Sequence, residues 1–237
     1  AKITQGANTY SVQSIYGHEK NSQSLSLDHQ KGTKQSEVAK MLPVVFIDAS
    51  THREFASTPK NRRDFLNWCC FYTVSDYHVN LGRYQRALQQ RNHLLKQCKQ
   101  HGGHARLLDT WTEPLIFYAE KVHESRLQLL ETLNANMAHI WPHFFAKAPG
   151  FLRYTSGWRD KTSFADCLQQ SVQQDILYGF TQHGPHRADI TCLTGDQLPL
   201  FQSFSQGQQK LFAYIIKFLQ LALIDTSQAQ ESILLID

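Results

Sequence analysis

The residues Ser203-Phe204-Ser205-Gln206-Gly207-Gln208-Gln209-Lys210 carry the sharpest local chemical signal in the chain. Ser205 and Gln208 have the Ser-x-x-Gln spacing of a capping box, in which two side chains satisfy each other's backbone N–H groups. Behind them Leu211, Phe212, Ile215, Ile216, Leu219, Ala222 and Leu223 recur at helical spacing and predict one apolar face. The N-terminus of such a helix offers unpaired N–H groups and the positive end of the dipole, which together can receive a phosphate. Gly207 removes a side chain there, so an anion can approach the backbone. An ordinary well-capped helix fits the same residues. Further on, Ile233-Leu234-Leu235-Ile236-Asp237 predicts a strand buried on both faces, as in a parallel sheet. An acid at the C-terminal edge of such a strand is where nucleotide-binding α/β folds orient Mg²⁺. A buried strand closed by a turn aspartate is the alternative.

The elements that must position these groups follow from periodicity. Residues 1–40 alternate polar and apolar positions (Ile3, Val12, Ile15, Leu25, Leu27) between turn formers and predict short antiparallel strands. Met41 to Ile47 contains a buried strand starting after Pro43. From Arg62 the pattern turns helical, with Phe65, Leu66, Cys69 and Tyr72 on one face. Tyr84, Ala87, Leu88, Arg91, Leu95 and Cys98 then repeat at spacings of three and four until Gly102-Gly103. Pro114 suits the first turn of the next helix. Its stripe runs through Leu115, Tyr118, Val122, Leu129, Leu133 and Ile140 to Trp141-Pro142. The two long helices are expected to form an antiparallel hairpin. After Pro149-Gly150 strands are expected over Phe151–Trp158 and on either side of His186 and Gly195, with a helix near Phe164–Gln174 between them. A helical insert over 60–149 thus interrupts a mixed α/β unit made of 1–59 and 150–237.

Composition narrows the class. With 237 residues, 41% hydrophobic and 19% charged, the chain can bury a core, and its apolar runs are far too short for a membrane-spanning helix. Its opening residues do not have the pattern of a signal peptide, and none is expected. The five cysteines, Cys69, Cys70, Cys98, Cys167 and Cys192, include no Cys-x-x-Cys pair, so reduced thiols of a cytosolic protein are expected rather than disulfides or zinc. His101-x-x-His104 and His183-x-x-His186 lack nearby carboxylates or thiolates to complete a metal site. Between Asp76 and Asp109 no acid occurs, while Arg83, Arg86, Arg91, Lys96, Lys99 and Arg106 are basic. Glu113, Glu120, Glu124 and Glu131 lie on the following helix. Either the basic helix faces a phosphate backbone or it complements its acidic neighbour across the hairpin.

Two further stretches are specific. Pro59-Lys60-Asn61-Arg62-Arg63-Asp64-Phe65-Leu66-Asn67-Trp68 and Arg83-Tyr84-Gln85-Arg86-Ala87-Leu88-Gln89-Gln90-Arg91-Asn92 form the first. They resemble the Pro-x-x-Arg-Arg-x-Phe-Leu-Asp-Trp and Tyr-x-x-Ala-Leu-x-Gln-Arg-Asn motifs of the RecF family of ABC/SMC-like ATPases. The second, Gly184-Pro185-His186-Arg187-Ala188-Asp189, resembles the family's Gly-Pro-His-Arg-x-Asp. Ser205-x-Gly207-Gln208 and Ile233–Asp237 resemble the ABC signature and Walker B motifs, so four motifs stand in family order over essentially the whole chain. Departures occur at Ala49-Ser50 (usually Pro-Glu), Ser57-Thr58 (usually two glycines), Asn67 (usually Asp) and Gln206 (usually Arg). The family's glycine-rich Lys-Ser/Thr loop would precede Ala1, and its second acid and D-loop would follow Asp237. A part of a diverged family member is therefore expected, inactive toward ATP by itself.

The resemblance implies a mixed α/β fold: a partial ABC-type ATPase head with an inserted helical lobe. It implies a cytoplasmic protein of DNA repair, recombination, replication and the SOS response. Its cofactors would be ATP and Mg²⁺, and its partners double-stranded or gapped DNA, RecR, RecO and a second copy in an ATP-driven dimer. Ser205, Gly207 and Gln208 would meet the γ-phosphate held by the opposite subunit, and Asp237 would hold Mg²⁺ through water. Lys60, Arg62, Arg63, Arg86 and Arg91 would contact DNA phosphates, which position rather than specify. No residue is assigned a catalytic role; His186 is either a general base or a turn-stabilising residue. The alternative class is a non-enzymatic helical module that binds DNA or protein.

Overall fold

An antiparallel meander leads the computed structural model, which describes residues 2–5, 8–17, 22–27, 30–31, 34–101, 105–146, 149–228 and 232–237. Its strands are β1 (Lys2–Gln5), β2 (Asn8–Gly17), β3 (Ser22–Leu27) and β4 (Gln30–Lys31), each paired with the next. The register runs Lys2↔Ser11, Val12↔Leu27 and Ser26↔Lys31, so the antiparallel expectation for this region holds. A short helix not expected from periodicity, α1 (Gln35–Met41), follows, and it buries none of its residues.

Strand β5 (Val44–Ile47) leads into α2 (Thr51–Ala56) and α3 (Pro59–Thr73). Helix α3 begins as its sequence dictates: the Thr58 hydroxyl accepts from Asn61 N at 3.4 Å, and Pro59, which has no N–H to satisfy, takes the first turn. Helices α4 (Tyr77–His101) and α5 (Asp109–Ile140) form the long hairpin. Arg83 reaches Tyr118 and Arg91 reaches Thr112, a descending register that makes them antiparallel. The Gly102-Gly103 turn expected between them lies outside the described residues; a 3₁₀ turn over Ala105–Leu108 leads into α5. Pro114 is inside α5, not in its first turn, because the helix starts at Asp109. Its missing N–H removes one hydrogen bond of the second turn.

Strand β6 (Phe151–Thr155), helix α6 (Phe164–Tyr178) and strand β7 (Asp189–Leu193) come next, β6 and β7 pairing antiparallel from Phe151↔Leu193 to Thr155↔Asp189. In place of the strand expected after Gly195, the chain makes only an isolated bridge, Leu193↔Pro199, before the short helix α7 (Leu200–Ser203). Helix α8 (Gln206–Gln228) and strand β8 (Ile233–Ile236) complete the described residues.

One apolar core joins these elements. Phe65 and Leu66 of α3 and Leu133 and Met137 of α5 belong to one buried cluster with Phe212, Ile215, Ile216 and Leu219 of α8. Trp141, fully buried, sits 6.0 Å from Phe204 and 6.2 Å from Phe212, ring centre to ring centre. Each such fully buried large side chain contributes roughly 1.5–3 kcal/mol. Leu95, Cys98 and Leu108, with Val172 and Ile176 against them, form a smaller cluster that docks α6 on α4.

Strand β8 is parallel to β5, in the register Val44↔Ile233 to Ile47↔Ile236, as the apolar run implied. Burial on both faces is not observed. Ile233, Leu235 and Ile236 are 39%, 49% and 71% exposed, and on β5 only Val45 and Ile47 are buried. Among the described residues β5 is the only neighbour of β8 in its sheet.

Candidate functional site

Helix α8 opens as the spacing required. Ser205 N donates to Gln208 Oε1 at 2.9 Å, and Gln208 N donates to Ser205 Oγ at 3.4 Å, closing the capping box. The N–H groups of Gln206 and Gly207 have no carbonyl one turn earlier in the helix to bond. Ser205, Gln206, Gly207 and Gln208 are all exposed, and a Cβ added to Gly207 would meet nothing within 4 Å. Phe212, Ala213, Ile215, Ile216, Leu219, Leu223 and Ile224 anchor the helix below, while Ala222, expected on the same face, is exposed. The result is a rigid, open, positively polarised helix end that an anion can approach.

Asp237 follows β8, its N–H donating to Ile47 O at 3.0 Å, and its side chain is exposed. The equivalent acid after β5, Asp48, is turned into its own loop. Its Oδ1 accepts from Ser50 N and Oγ at 2.8 Å and from Thr51 Oγ1 at 3.1 Å, and the Ser50 hydroxyl chiefly holds its pKa below the usual carboxylate value. Of the two acids at this strand edge, Asp48 is the one whose carboxylate is engaged by neighbouring side chains.

The five basic residues expected on DNA divide sharply. Arg86 is exposed on α4, and Lys60 is exposed on α3 beside Asp64, Nζ to Oδ2 2.7 Å. Arg91 is a correction: it is 1% exposed and donates to Asp175 Oδ2 at 2.8 Å and Thr181 Oγ1 at 2.6 Å, so it offers no surface to a phosphate. Arg62 grips Asp189 with two parallel bonds, Nε–Oδ1 2.7 Å and Nη2–Oδ2 2.8 Å, and also donates to Phe55 O. Arg63 donates to Ala188 O at 3.0 Å. Both side chains are half-buried and engaged by these partners. Nor do α4 and α5 pair as basic and acidic partners: no ion pair joins them among the described residues, and Glu124 bonds Lys121 of its own helix.

The Gly184–Asp189 segment is the centre of a buried polar network that the motif order did not explain. Gly184 has φ +135, and a Cβ there would lie 2.7 Å from the Tyr84 hydroxyl. Arg126 of α5, 2% exposed, donates to Pro185 O at 2.9 Å, Tyr77 Oη at 3.0 Å and Asn67 Oδ1 at 2.9 Å. His186 Nε2 bonds Thr181 O at 3.1 Å and its Nδ1 takes the Tyr84 hydroxyl. Arg62, Arg63 and Arg126 thus hold the segment from α3 and α5, and Tyr84 holds it from α4. His186 acts here as a turn-stabilising residue. Arg126 and Asp175 were missed in the sequence; their one local signal is a charge set within an otherwise apolar stripe.

Burial drives the His186 pKa down to about 4, and the nearby Arg187, Arg63 and His183 charges act in the same direction. Between that value and the ordinary 6.5, the unfolded chain binds a proton that the folded chain does not, so stability falls as pH drops through this window. The full shift corresponds to at most roughly 3 kcal/mol. His123, lowered by burial and then by Arg126, adds to the same trend. The melting temperature is expected to fall from pH 7.5 to pH 5, and His186→Gln, which keeps a donor for Thr181 O, is expected to flatten that slope. An unchanged slope in the variant would overturn the assignment.

The thiols lie inside the fold. All five cysteines are buried and free, and burial pushes Cys70 up to about 12 and Cys69 and Cys192 higher still. No group of three or more histidine, cysteine or acidic side chains converges on a metal-sized site among the described residues. No described helix is long and apolar enough to cross a membrane.

Known proteins are similar to this chain. A protein of Coxiella burnetii (strain RSA 493 / Nine Mile phase I) named DNA replication and repair protein RecF is 32% identical over 213 residues, covering 90% of this chain and 58% of that protein. The protein of the same name from Shewanella halifaxensis (strain HAW-EB4) is 31% identical over 202 residues, 85% of this chain and 54% of its own. A solved structure described as the recombination mediator protein RecF-ATP in the RecFOR pathway superposes with a TM-score of 0.88 at 23% identity, covering 97% of this chain and 63% of that one. This chain therefore spans little more than half the length of these curated relatives. No protein-family model matches it. The superposition establishes the fold that this chain shares with that structure: a mixed, helix-rich architecture with small sheets.

Proposed function

From the membership of this chain in the RecF family we infer that the protein works in DNA repair, recombination and replication maintenance, as an ATP-dependent DNA-binding protein. It acts at gapped or stalled replication DNA, in the cytoplasm and within the SOS response, with RecO and RecR as partners. The observation that carries the reading is the open, capped N-terminus of α8 ahead of a parallel strand that ends in Asp237. The division into a head (1–59 and 150–237) and a helical lobe (60–149) belongs to the same proposal.

The residues present fit the cofactors. Ser205, Gly207 and Gln208 present an uncrowded helix end to a γ-phosphate held by a second copy. Asp237 is exposed and free of the side-chain bonds that occupy Asp48, so it can hold Mg²⁺ through water. When bound, Mg-ATP supplies the negative charge that joins two heads. Lys60, Arg86 and the exposed lysines of α4, Lys96 and Lys99, serve as phosphate contacts. Arg62 and Arg63 shape this surface from behind rather than touching DNA.

The decisive experiment uses Ser205→Arg in the full-length protein. A long cation there blocks close approach of a second head and removes a cap worth only about 1 kcal/mol, so the fold survives. Nucleotide binding by the monomer is expected to persist, while dimerisation driven by a slowly hydrolysed ATP analogue disappears in sedimentation. A variant that still dimerises with nucleotide would show that α8 does not sense phosphate in trans.

A further inference from the structure

Exposed aromatic side chains cluster where α6 ends. Tyr178 is 53% exposed and Phe180 37%, with their rings 6.0 Å apart. Between them Gly179 adopts φ +78, and the N–H groups of Gly179 and Phe180 both donate to Asp175 O, at 2.8 and 3.2 Å. A hydrophobic residue following such a left-handed cap often folds back onto its helix. Phe180 instead stays at the surface, with the Arg187 guanidinium 5.6 Å from its ring centre.

Cations flank the rings from the other side as well. The side-chain stems of Lys96 and Lys99 on α4 lie 3.5 Å from where a Gly179 Cβ would stand. The turn that carries Phe180 is held firmly. Thr181 N and Oγ1 donate to Asn92 Oδ1 at 2.7 and 2.8 Å, and Gln182 N donates to Asp175 Oδ1 at 3.1 Å. Next to it, Gln85, Gln89, Asn92, His93 and Lys96 line an open cleft of about 450 Å³ with no carboxylate among its lining residues. Helix α4 carries no acid along its whole length.

We infer that this surface is a stacking site for unpaired bases, through which the protein binds single-stranded DNA. The inference rests on the DNA-binding reading above and deepens it. Cations alone serve a duplex and a single strand equally, because both present phosphates. Exposed rings at a rigid turn add something only an unstacked base can use, since every base has a π-face that pairing within a duplex hides. The uncommitted amide donors and acceptors of Gln85 and Gln89 in the neighbouring cleft suit base edges. Arg187, Lys96 and Lys99 supply the charge complement on both sides.

The test is fluorescence anisotropy of a labelled oligothymidine and of a duplex of equal length, titrated with the protein. Tyr178→Ala together with Phe180→Ala is expected to weaken oligothymidine binding about ten- to a hundredfold and leave duplex affinity within about twofold. Tyr178→Phe keeps the ring and is expected to bind like the wild type, and Tyr178→Ala alone serves where the double variant melts early. Lys96→Glu with Lys99→Glu weakens both ligands. If the wild type binds duplex but the ring variants bind oligothymidine normally, the stacking site is wrong while the DNA reading stands. The stacking site is equally wrong if those variants lose only an acidic protein partner. If the wild type binds neither ligand, both readings fall.

Discussion

Replacing Arg91 by methionine is expected to destabilise the fold by about 3–5 kcal/mol, the usual result of leaving one member of a buried ion pair unpartnered. Arg91 and Asp175 have side chains 1% and 0% exposed, with Nη1 and Oδ2 2.8 Å apart. Removing the guanidinium strands the Asp175 carboxylate and also takes the donor from Thr181 Oγ1 at 2.6 Å. For a chain of this length, that loss lowers the melting temperature by about 6–20 °C. Removing both charges, as Arg91→Met with Asp175→Leu, is expected to recover a good part of the loss, because burying two charges costs nearly what their attraction returns. Lys60→Met, which breaks an exposed pair, is the control and is expected to change almost nothing. A thermal melt of the four proteins decides the matter. A single Arg91 variant melting with the wild type would mean that the pair is not structural.

Gly157→Ala is expected to be similarly damaging, at roughly 3–5 kcal/mol, from left-handed strain and overpacking combined. Gly157 has φ +87, and a Cβ there would overlap the Gly184 carbonyl oxygen, approach Ala188 N to 2.6 Å and approach Arg187 C to 2.8 Å. All three are backbone atoms of the segment that Arg126, Arg63 and His186 hold in place, so none can yield cheaply. Gly184 N also donates to Gly157 O at 3.1 Å, and that bond has to break if the segments separate. Gly207→Ala makes the contrast. Nothing lies within 4 Å of its Cβ and its φ is ordinary, so stability is expected to hold or rise by a few tenths of a kcal/mol. Urea midpoints measured side by side test both, and equal midpoints for Gly157→Ala and the wild type would overturn the packing argument.

Local rules carried a large share of the fold and of the candidate site. The Ser205–Gln208 capping box, the apolar face of α8, the two helices of the hairpin and the parallel character of the last strand all follow from spacing within a single turn or strand. The order of the motifs led to the family that the relatives share. Even Arg91 stands on the apolar stripe of its helix with Tyr84, Ala87, Leu95 and Cys98, the signal that it faces inward. Its positive charge suggested a phosphate instead, because nothing nearby in the chain showed a partner.

That partner is what distance along the chain conceals. Asp175 stands 84 residues from Arg91, and Asp189 stands 127 residues from Arg62. A guanidinium on a helix reads the same whether it meets a phosphate or a carboxylate folded against it from another element, since helix spacing specifies a face and not its neighbour. The amino-acid sequence by itself determined the elements, their caps, the acid-free face of α4 and the family. The tertiary structure alone decided which arginines serve as ties around Gly184–Asp189 and which cations remain at the surface beside Tyr178 and Phe180. The physical reason is that burial of a charge is settled only where its counter-charge arrives, and that arrival is a property of the packed core rather than of any one segment.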